Sequence, residues 1–343
     1  MKLILSAAAA LSLFAPHLAR AWDYEGHRIV NQLGLATLPA DFPAFVKDPA
    51  AQERIAFLAG EPDRWRNTPE TTLQHFNAPD HYIDVEDLEP YGLDPHSLSH
   101  FRYEFTGQLA VQRHLHPEKF PAIDASKNKD KTRTLTGFLP WTIAEFYGKL
   151  KSEFSYLKAF EEGGGTPEEI ANAKQNILYT MGVMGHFVGD ASQPLHTTKH
   201  FNGWVGENPN HYATNTTFHS WIDGGYIRKI KLTAGDLKGK VRPAKSLGAA
   251  PDAKSQEDIF PLCMSFIVDH FKLVEPLYRM NKEGTLSDTG AEGSKGRAFM
   301  SGQLIKAGEF LGDLWYTAWK NAPVDSYLKG QLTRRKSAAD PAP

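Results

Sequence analysis

The chain has 343 residues, with 38 Lys and Arg against 40 Asp and Glu, so its formal net charge is −2. Hydrophobic residues at 41% and charged residues at 23% exclude a mostly disordered chain, and the near-neutral charge excludes a preformed surface for tight duplex binding. The single cysteine, Cys263, excludes an intramolecular disulfide framework and cysteine-based zinc modules, whereas 14 histidines point towards metal binding.

Residues 1–21 have the features of a signal peptide. Lys2 supplies a positive start, residues 3–14 are largely apolar, and Ala19-Arg20-Ala21 is typical of a cleavage site. The apolar stretch is too short to span a bilayer, and no later segment approaches a membrane span. The sequence therefore predicts a protein exported to the periplasm or the medium, with Trp22 as its new N-terminus.

Helical spacing dominates the rest of the chain. Apolar residues recur every three or four positions after His27 until Pro39, and Thr166-Pro-Glu-Glu169 is a capping box that opens a further helix. Three more helices are predicted over 139–154, 259–280 (with a kink at Pro276) and 298–319. Strand signals are sparse. We expect one all-α domain over residues 22–329 and a disordered tail over 330–343.

Two short segments carry pairs of potential metal ligands. His186-Phe-Val-Gly-Asp190 and His219-Ser-Trp-Ile-Asp223 each place a histidine and an aspartate four residues apart, on one face of a helix. After the first pair, Pro194 should end the helix, so that His196 can turn back towards the same space. A single pair of this kind is common in protein cores. Two pairs with a further histidine favour a metal site.

Two upstream segments also contain candidate ligands. Trp22-Asp-Tyr-Glu-Gly-His27 places a histidine close to the predicted free amine. The segment from His81 to Asp84 alternates as a short extended piece would, and Asp63-Arg-Trp-Arg66 precedes it. Spacing alone does not assign a role to either segment.

Taken together, these motifs resemble the S1/P1 nuclease family of exported zinc-dependent nucleases, which is related to the zinc-dependent phospholipases C. The resemblance spans residues 22–223. It rests on Trp22, Gly26-His27, His81-Tyr-Ile-Asp84, His186-Phe-Val-Gly-Asp-Ala-Ser-Gln-Pro-Leu-His196 and His219-Ser-Trp-Ile-Asp223.

The resemblance implies a mostly helical domain of the phospholipase C/P1 nuclease type with three clustered zinc ions. The nine implied ligand residues form three sets: Asp63, His81, His186 and Asp190; the amine and carbonyl of Trp22 with His27 and Asp190; and His196, His219 and Asp223. In the second set the amine can bind zinc only after the signal peptide is removed.

The same resemblance implies a function. We expect phosphodiester hydrolysis of single-stranded DNA or RNA to 5′-phosphate products, together with 3′-nucleotidase activity. Asp63 would orient a zinc-activated water or accept its proton, and Arg66 would neutralise the phosphoryl oxygens. Tyr82 would stack on a base and Asp84 would accept a hydrogen bond from its edge. No stable protein partner is implied, and a monomer is expected.

Some features leave alternatives open. The relatives from fungi and plants carry disulfides, which this chain cannot form. The stretch between His81 and His186 is long and contains the polar run 128–133, which we expect to be a loop or insert near the cleft. A phospholipase C-like phosphodiesterase shares nearly the same metal ligands, and a non-catalytic zinc-binding protein would also keep them. Arg66 could be a plain surface arginine, and Tyr82 a core aromatic.

Overall fold

The structure, a computed structural model, describes residues 22–248, 259–287 and 290–339. The signal peptide predicted over residues 1–21 lies outside these ranges. Within them, no helix combines the length and apolar composition that a bilayer crossing requires. The buried apolar side chains form one continuous cluster.

The protein is all-α, as its sequence predicts. The α-helices, in chain order, are α1 (Tyr24–Thr37), α2 (Ala44–Lys47), α3 (Pro49–Leu58), α4 (Glu61–Arg66), α5 (Thr71–Asn77), α6 (Arg102–Leu115), α7 (Leu139–Gly163), α8 (Pro167–Ala191), α9 (Phe218–Ser220), α10 (Tyr226–Lys229), α11 (Phe260–Phe271), α12 (Val274–Lys282), α13 (Gly290–Asn321) and α14 (Ser326–Ala339). Short 3₁₀ turns lie at Ala78–His81, Val85–Tyr91, Pro117–Lys119, Ala125–Lys127, Pro194–His196, Ala234–Asp236 and Lys238–Lys240, and a π turn at Trp221–Gly225 joins α9 to α10.

Helix α8 is central to the fold. Its predicted capping box is present: the Oγ1 atom of Thr166 accepts a hydrogen bond from the Glu169 amide, and the Glu169 carboxylate accepts one from the Thr166 amide. Every residue over 180–191 is buried, because α1, α3, α7 and α13 all contact this helix. The C-terminal half of α8 therefore brings His186 and Asp190 into the interior.

Glycines on α8 let the neighbouring helices approach closely. Gly182 faces α3, whereas Gly185 and Gly189 face α1. A Cβ atom at Gly189 would lie only 2.8 Å from Nδ1 of His27, inside the closest distance that such atoms adopt. The glycines therefore set the distance between α1 and α8, and that distance places His27 beside the ligands of α8.

A short extended segment crosses the interior after the Ala78–His81 turn. Tyr82 has extended dihedrals, and Ile83 forms an isolated antiparallel bridge with Gly137. The Ile83 amide also donates to the carbonyl of His196 at 3.0 Å. Gly137 has φ of 103°, and a Cβ there would collide with the Tyr82 carbonyl, so only glycine fits. In the described part of the chain this is the only β pairing, which agrees with the predicted extended piece.

Two predictions of secondary structure need correction. The helix predicted over 259–280 is two helices, α11 and α12, which separate at Lys272 and Leu273. Pro276 causes no kink, because it is the third residue of α12, where the amide has no intrahelical partner to lose.

The predicted disordered tail over 330–343 is the second correction. Helix α14 continues through Ala339, while residues 340–343 lie outside the described part. The helix is held by a bidentate pair between Arg335 and Glu169, at 2.8 and 2.9 Å, and by Leu332, which is buried. Contacts with α7 and with the start of α8 therefore order a segment whose sequence is mostly polar.

Candidate metal centre

The helix end after Asp190 organises the site. Helix α8 ends at Ala191, and the Pro194–His196 turn directs the chain back, as the proline predicts. The Nδ1 atom of His196 consequently lies 3.7 Å from Oδ1 of Asp190, and all three side chains from this segment are buried: His186, Asp190 and His196.

The first group of potential ligands consists of Asp63, His81 and His186, whose ligand atoms lie within 4.8 Å of one another. Nδ1 of His81 is 3.0 Å from Nε2 of His186. Asp63 reaches the group from α4, which begins shortly after α3 ends. These three residues come from three separate segments, and they were all predicted to share one zinc.

The second group consists of His27, His186 and Asp190. The two carboxylate oxygens of Asp190 face different histidines. Oδ2 lies 3.1 Å from Nδ1 of His81 and 3.4 Å from Nε2 of His186, whereas Oδ1 lies 3.4 Å from Nε2 of His27. The Asp190 carboxylate therefore stands between the first two groups, where the resemblance places a bridging ligand.

The third group consists of His196, His219 and Asp223. Nε2 of His219 lies 3.0 Å from Nε2 of His196 and 2.7 Å from Oδ2 of Asp223. Asp223 lies in the π turn between α9 and α10, a widened helical turn of the kind that recurs at functional sites. The turn keeps the residues at positions i and i+4 on one side while the surrounding helix continues.

Main-chain acceptors orient these ligands. Nδ1 of His186 lies 2.7 Å from the carbonyl oxygen of Ala59, and Nδ1 of His196 lies 2.7 Å from that of His81. A histidine that donates through Nδ1 presents an unprotonated Nε2, which is the form that binds a metal. Both Nε2 atoms point into the groups described above.

The donor set fits zinc. Two imidazoles bound to one tetrahedral zinc at about 2.0–2.1 Å have nitrogen atoms roughly 3.3 Å apart, and the atoms that face one another here are 2.7–3.4 Å apart. Three buried atoms that face these groups have no hydrogen-bond partner among the described residues: Nε2 of His27, Oδ1 of Asp190 and Oδ2 of Asp223. Unpartnered buried atoms are costly, and cations bound by them would remove that cost.

Burial favours the neutral form of two of the imidazoles, those of His81 and His219. It lowers the pKa of His81 to about 3, with a further contribution from the Arg66 guanidinium, and it lowers the pKa of His219 to about 3. Burial alone would raise the pKa of Asp63, but Arg66, whose Nη2 lies 2.7 Å from Oδ1 of Asp63, lowers it to about 2. Burial acts on His186 as well, but the Asp190 carboxylate outweighs it and raises the pKa of His186. The site therefore offers neutral nitrogens at His81 and His219 and an ionised carboxylate at Asp63, which is a combination that zinc prefers.

The pKa of Asp223 shifts in the opposite direction to that of Asp63. Burial raises its pKa well above the usual value, and its hydrogen-bond donor is the side-chain amide of Gln193. Gln193 was not predicted to have a role, although it lies inside the motif that carries the resemblance. Its Oε1 atom accepts from the Leu195 amide at 2.9 Å, so one side chain links the turn after α8 to the third group.

A cavity of about 500 Å³ opens onto the third group, and it reaches the first group through Arg66, which pairs with Asp63. His196 and His219 form part of its wall, and Arg66, Tyr82 and Asp84 line it as well. These are the three residues predicted to contact substrate, and the fold brings them to one cavity. The polar run 128–133 lies at the same cavity, as predicted, through Lys129, Asp130, Thr132 and Arg133.

The remaining predicted ligand, Trp22, is buried beside the same groups. Its indole Nε1 donates to the carbonyl of Gly189 at 2.8 Å, and the adjacent Asp23 amide donates to the carbonyl of Asp223 at 3.1 Å. Eight histidines had no predicted role, and none of them joins a three-residue ligand group in the described ranges: His75, His96, His100, His114, His116, His200, His211 and His270.

Comparisons with known proteins add little beyond this geometry. No protein-family model matches the chain, and no curated protein matches it. Among solved structures, the chain is similar to the alpha-toxin of Clostridium perfringens from avian strain SWCP, with 14% identity and a TM-score of 0.37. The match covers 89% of this chain but 65% of the toxin, so this chain spans less than two thirds of the toxin's length. At that TM-score the likeness does not establish a shared topology.

Proposed function

We propose that the protein is a zinc-dependent phosphodiesterase that cleaves single-stranded nucleic acid to 5′-phosphate products and also removes phosphate from 3′-nucleotides. One observation carries this proposal: of three groups of potential zinc ligands, the third lines a cavity whose wall also contains Arg66, Tyr82 and Asp84, and Arg66 pairs with Asp63 of the first. The cavity thus combines residues for metal, phosphate and base binding.

In this proposal three zinc ions are held by the three sets of ligands that the resemblance implies, with the Asp190 carboxylate between the first two. When bound, zinc supplies Lewis acidity, positive charge for the phosphoryl oxygens and a lowered pKa for an attacking water. The ionised Asp63 carboxylate accepts a hydrogen bond from that water, and Arg66 donates to the phosphoryl oxygens. We assign the leaving 3′ oxygen to the side of His196 and His219.

The base site consists of Tyr82 and Asp84. Tyr82 offers a ring on which any base can stack, and stacking of this kind requires an unpaired strand. Burial raises the pKa of Asp84 well above its usual value, with further contributions from Asp87 and Glu86. A carboxyl group of this kind can exchange hydrogen bonds with a base edge.

A phospholipase C-like phosphodiesterase is the second candidate. Apolar side chains share the cavity wall, namely Leu135, Leu195 and Phe201, and Phe201 is 40% exposed. They would suit the glycerol backbone of a lipid. The nuclease is favoured because Arg66, Tyr82 and Asp84 together provide for phosphate and base.

The test compares substrate classes. Purified protein that begins at Trp22 is incubated with single-stranded DNA, RNA and phosphatidylcholine, with and without a chelator. We expect zinc-dependent cleavage of both nucleic acids. Cleavage of phosphatidylcholine alone would favour the second candidate, and zinc binding without any hydrolysis would indicate a non-catalytic zinc protein.

The base site is tested separately by substituting Tyr82→Ala together with Asp84→Ala. Loss of one stacked base costs about 1–3 kcal/mol, so kcat/KM for oligonucleotides should fall about tenfold or more relative to kcat/KM for a generic aryl phosphodiester. Tyr103→Ala is the control, because Tyr103 is 89% exposed. An equal decrease on both substrates would contradict a base site.

A further inference from the structure

A second cavity, of about 410 Å³, lies beside the cavity of the metal centre. Four residues line both cavities: Asp87, Lys127, Arg133 and Leu135. Three of them belong to the segment 124–135, which we call the dividing segment. It carries four cations and two carboxylates, so it forms a net cationic boundary between the two spaces, with Lys129 on the side of the metal centre. Nζ of Lys127 lies 3.7 Å from Oδ2 of Asp124 in an exposed pair for which a phosphate would compete.

The dividing segment is held in a defined position. The Asp130 carbonyl lies 2.7 Å from Nδ1 of His75 on α5, and the Arg133 amide donates to Oδ1 of Asn128. Nε of Arg133 donates to the carbonyl of Lys127 at 3.2 Å. Among the described residues no acceptor pairs with the terminal guanidinium nitrogens of Arg133. These two nitrogens can therefore donate hydrogen bonds to an anion at the boundary.

The second cavity has the composition of a stacking site. Tyr91 and Phe120 have ring centroids 4.6 Å apart, and the Arg113 guanidinium lies 4.6 Å from the Phe120 centroid. Nη1 of Arg113 also donates to the Tyr91 hydroxyl at 3.0 Å. Lys119 adds another positive charge to the wall. Aromatic faces with neighbouring cations are what proteins use to bind unpaired nucleotides.

We propose that Arg133 and Lys127 bind the phosphate next to the nucleotide held at Tyr82 and Asp84, and that the second cavity receives the nucleotide beyond that phosphate. The inference rests on the proposed function and narrows it: oligonucleotides should be preferred over mononucleotides. The two cavities and the cationic boundary between them would form one path for a single strand.

The test compares a pentathymidylate with a 3′-mononucleotide, using the zinc-loaded protein. The double substitution Arg133→Gln with Lys127→Gln should lower the ratio of their kcat/KM values about tenfold, since hydrogen bonds to charged groups have about this effect. Because both cations contact one phosphate, the double substitution should also reduce the slope of log kcat/KM against log salt concentration for the pentamer by about 0.7. Anisotropy with a fluorescent phosphorothioate pentamer should show about tenfold weaker binding.

Lys131→Asn is the matched control. It removes one positive charge from the dividing segment, half of what the double substitution removes, at a position that lines neither cavity, and asparagine tolerates the positive φ of 61° there. The control should leave the ratio of kcat/KM for the pentathymidylate to kcat/KM for the mononucleotide unchanged. If the double substitution lowers kcat/KM equally for both substrates, or leaves the affinity for the pentamer unchanged, the subsite is refuted while the proposed function stands. A wild-type protein that cleaves neither substrate would refute both.

Discussion

At the scale of single residues, Trp22 is the predicted zinc ligand that depends on removal of the signal peptide. Its side chain is buried beside Gly189, which precedes Asp190 and faces His27, so the side chain of Trp22 lies close to the second ligand group. An α-amine can bind zinc, whereas the amide nitrogen of an unprocessed chain has no free lone pair. Export and activity would then be coupled through one peptide bond.

We therefore predict that protein with Gly-Ser before Trp22 binds about one zinc fewer than protein that begins at Trp22. It should also lose most of its activity, because the second group lacks a ligand. Zinc content by mass spectrometry and initial rates are compared after identical reconstitution. Equal zinc content and equal rates would remove Trp22 from the site.

A second residue-scale prediction concerns Glu153 of α7. Burial raises its pKa to about 7, and Thr180 Oγ1 donates to its Oε1 at 2.7 Å. Since the folded pKa exceeds the unfolded value, the unfolded chain loses this proton first as pH rises from about 4.5 to 7. The carboxyl group therefore lowers the stability of the folded state progressively over that window, and fully above pH 7.

Glu153→Gln should consequently stabilise the protein at pH 8 by about 2 kcal/mol, a value reduced for the partial exposure of the side chain. At pH 4.5 the gain should nearly vanish. Urea unfolding at pH 8 and at pH 4.5 measures this gain in the free energy of unfolding. Glu161→Gln is the control for losing an exposed α7 carboxylate. A gain that does not change with pH would contradict the expected titration.

At the scale of elements, the contact between α1 and α8 determines whether His27 reaches the site. Gly189 leaves room for this ring, since a Cβ there would lie 2.8 Å from its Nδ1 atom. We predict that Gly189→Ala displaces His27, reduces zinc occupancy of the second group and costs about 1–3 kcal/mol of stability through overpacking.

Gly148→Ala on α7 is the matched control, because a Cβ there meets nothing within 4 Å and the position is exposed. Helix propensity alone should make that variant about 1 kcal/mol more stable. Zinc analysis measures the occupancy of the second group, and thermal unfolding measures the change in stability. Full zinc content in Gly189→Ala would show that the helix contact does not position His27.

At the scale of the whole molecule, the metal centre joins segments that are far apart in sequence. Its ligands come from α1, α4, the Ala78–His81 turn, α8, the turn after α8 and the helix around Asp223. Without cations, several buried carboxylate and imidazole atoms there have no hydrogen-bond partner among the described residues. With one cysteine the chain has no intramolecular disulfide, so the proposed metal binding would add to the stability that the apolar core provides.

We predict that chelation lowers the melting temperature by about 10 °C or more and abolishes hydrolysis, because ligands that bind only the folded state stabilise it by mass action. Calorimetry with and without chelator measures the shift, and elemental analysis should find about three zinc ions per chain. An active preparation without metal would contradict the proposed mechanism altogether.

The local features of this protein could be predicted from its sequence alone. Helical periodicity indicated the all-α class, the capping box marked the start of α8, and the i, i+4 pairs marked two ligand segments, because each depends on residues within one or two turns. The roles of Asp63 and His81 followed only from a family resemblance, since no local spacing assigns them.

Tertiary structure decided the rest. The meeting of His27 and His186 depends on glycine contacts between α1 and α8, and α14 is ordered by its contacts with α7 and α8. The role of Gln193 and the second cavity beside Arg133 also depend on segments that are distant in sequence. Periodicity encodes which face of a helix is buried, but only packing determines which neighbour that face meets.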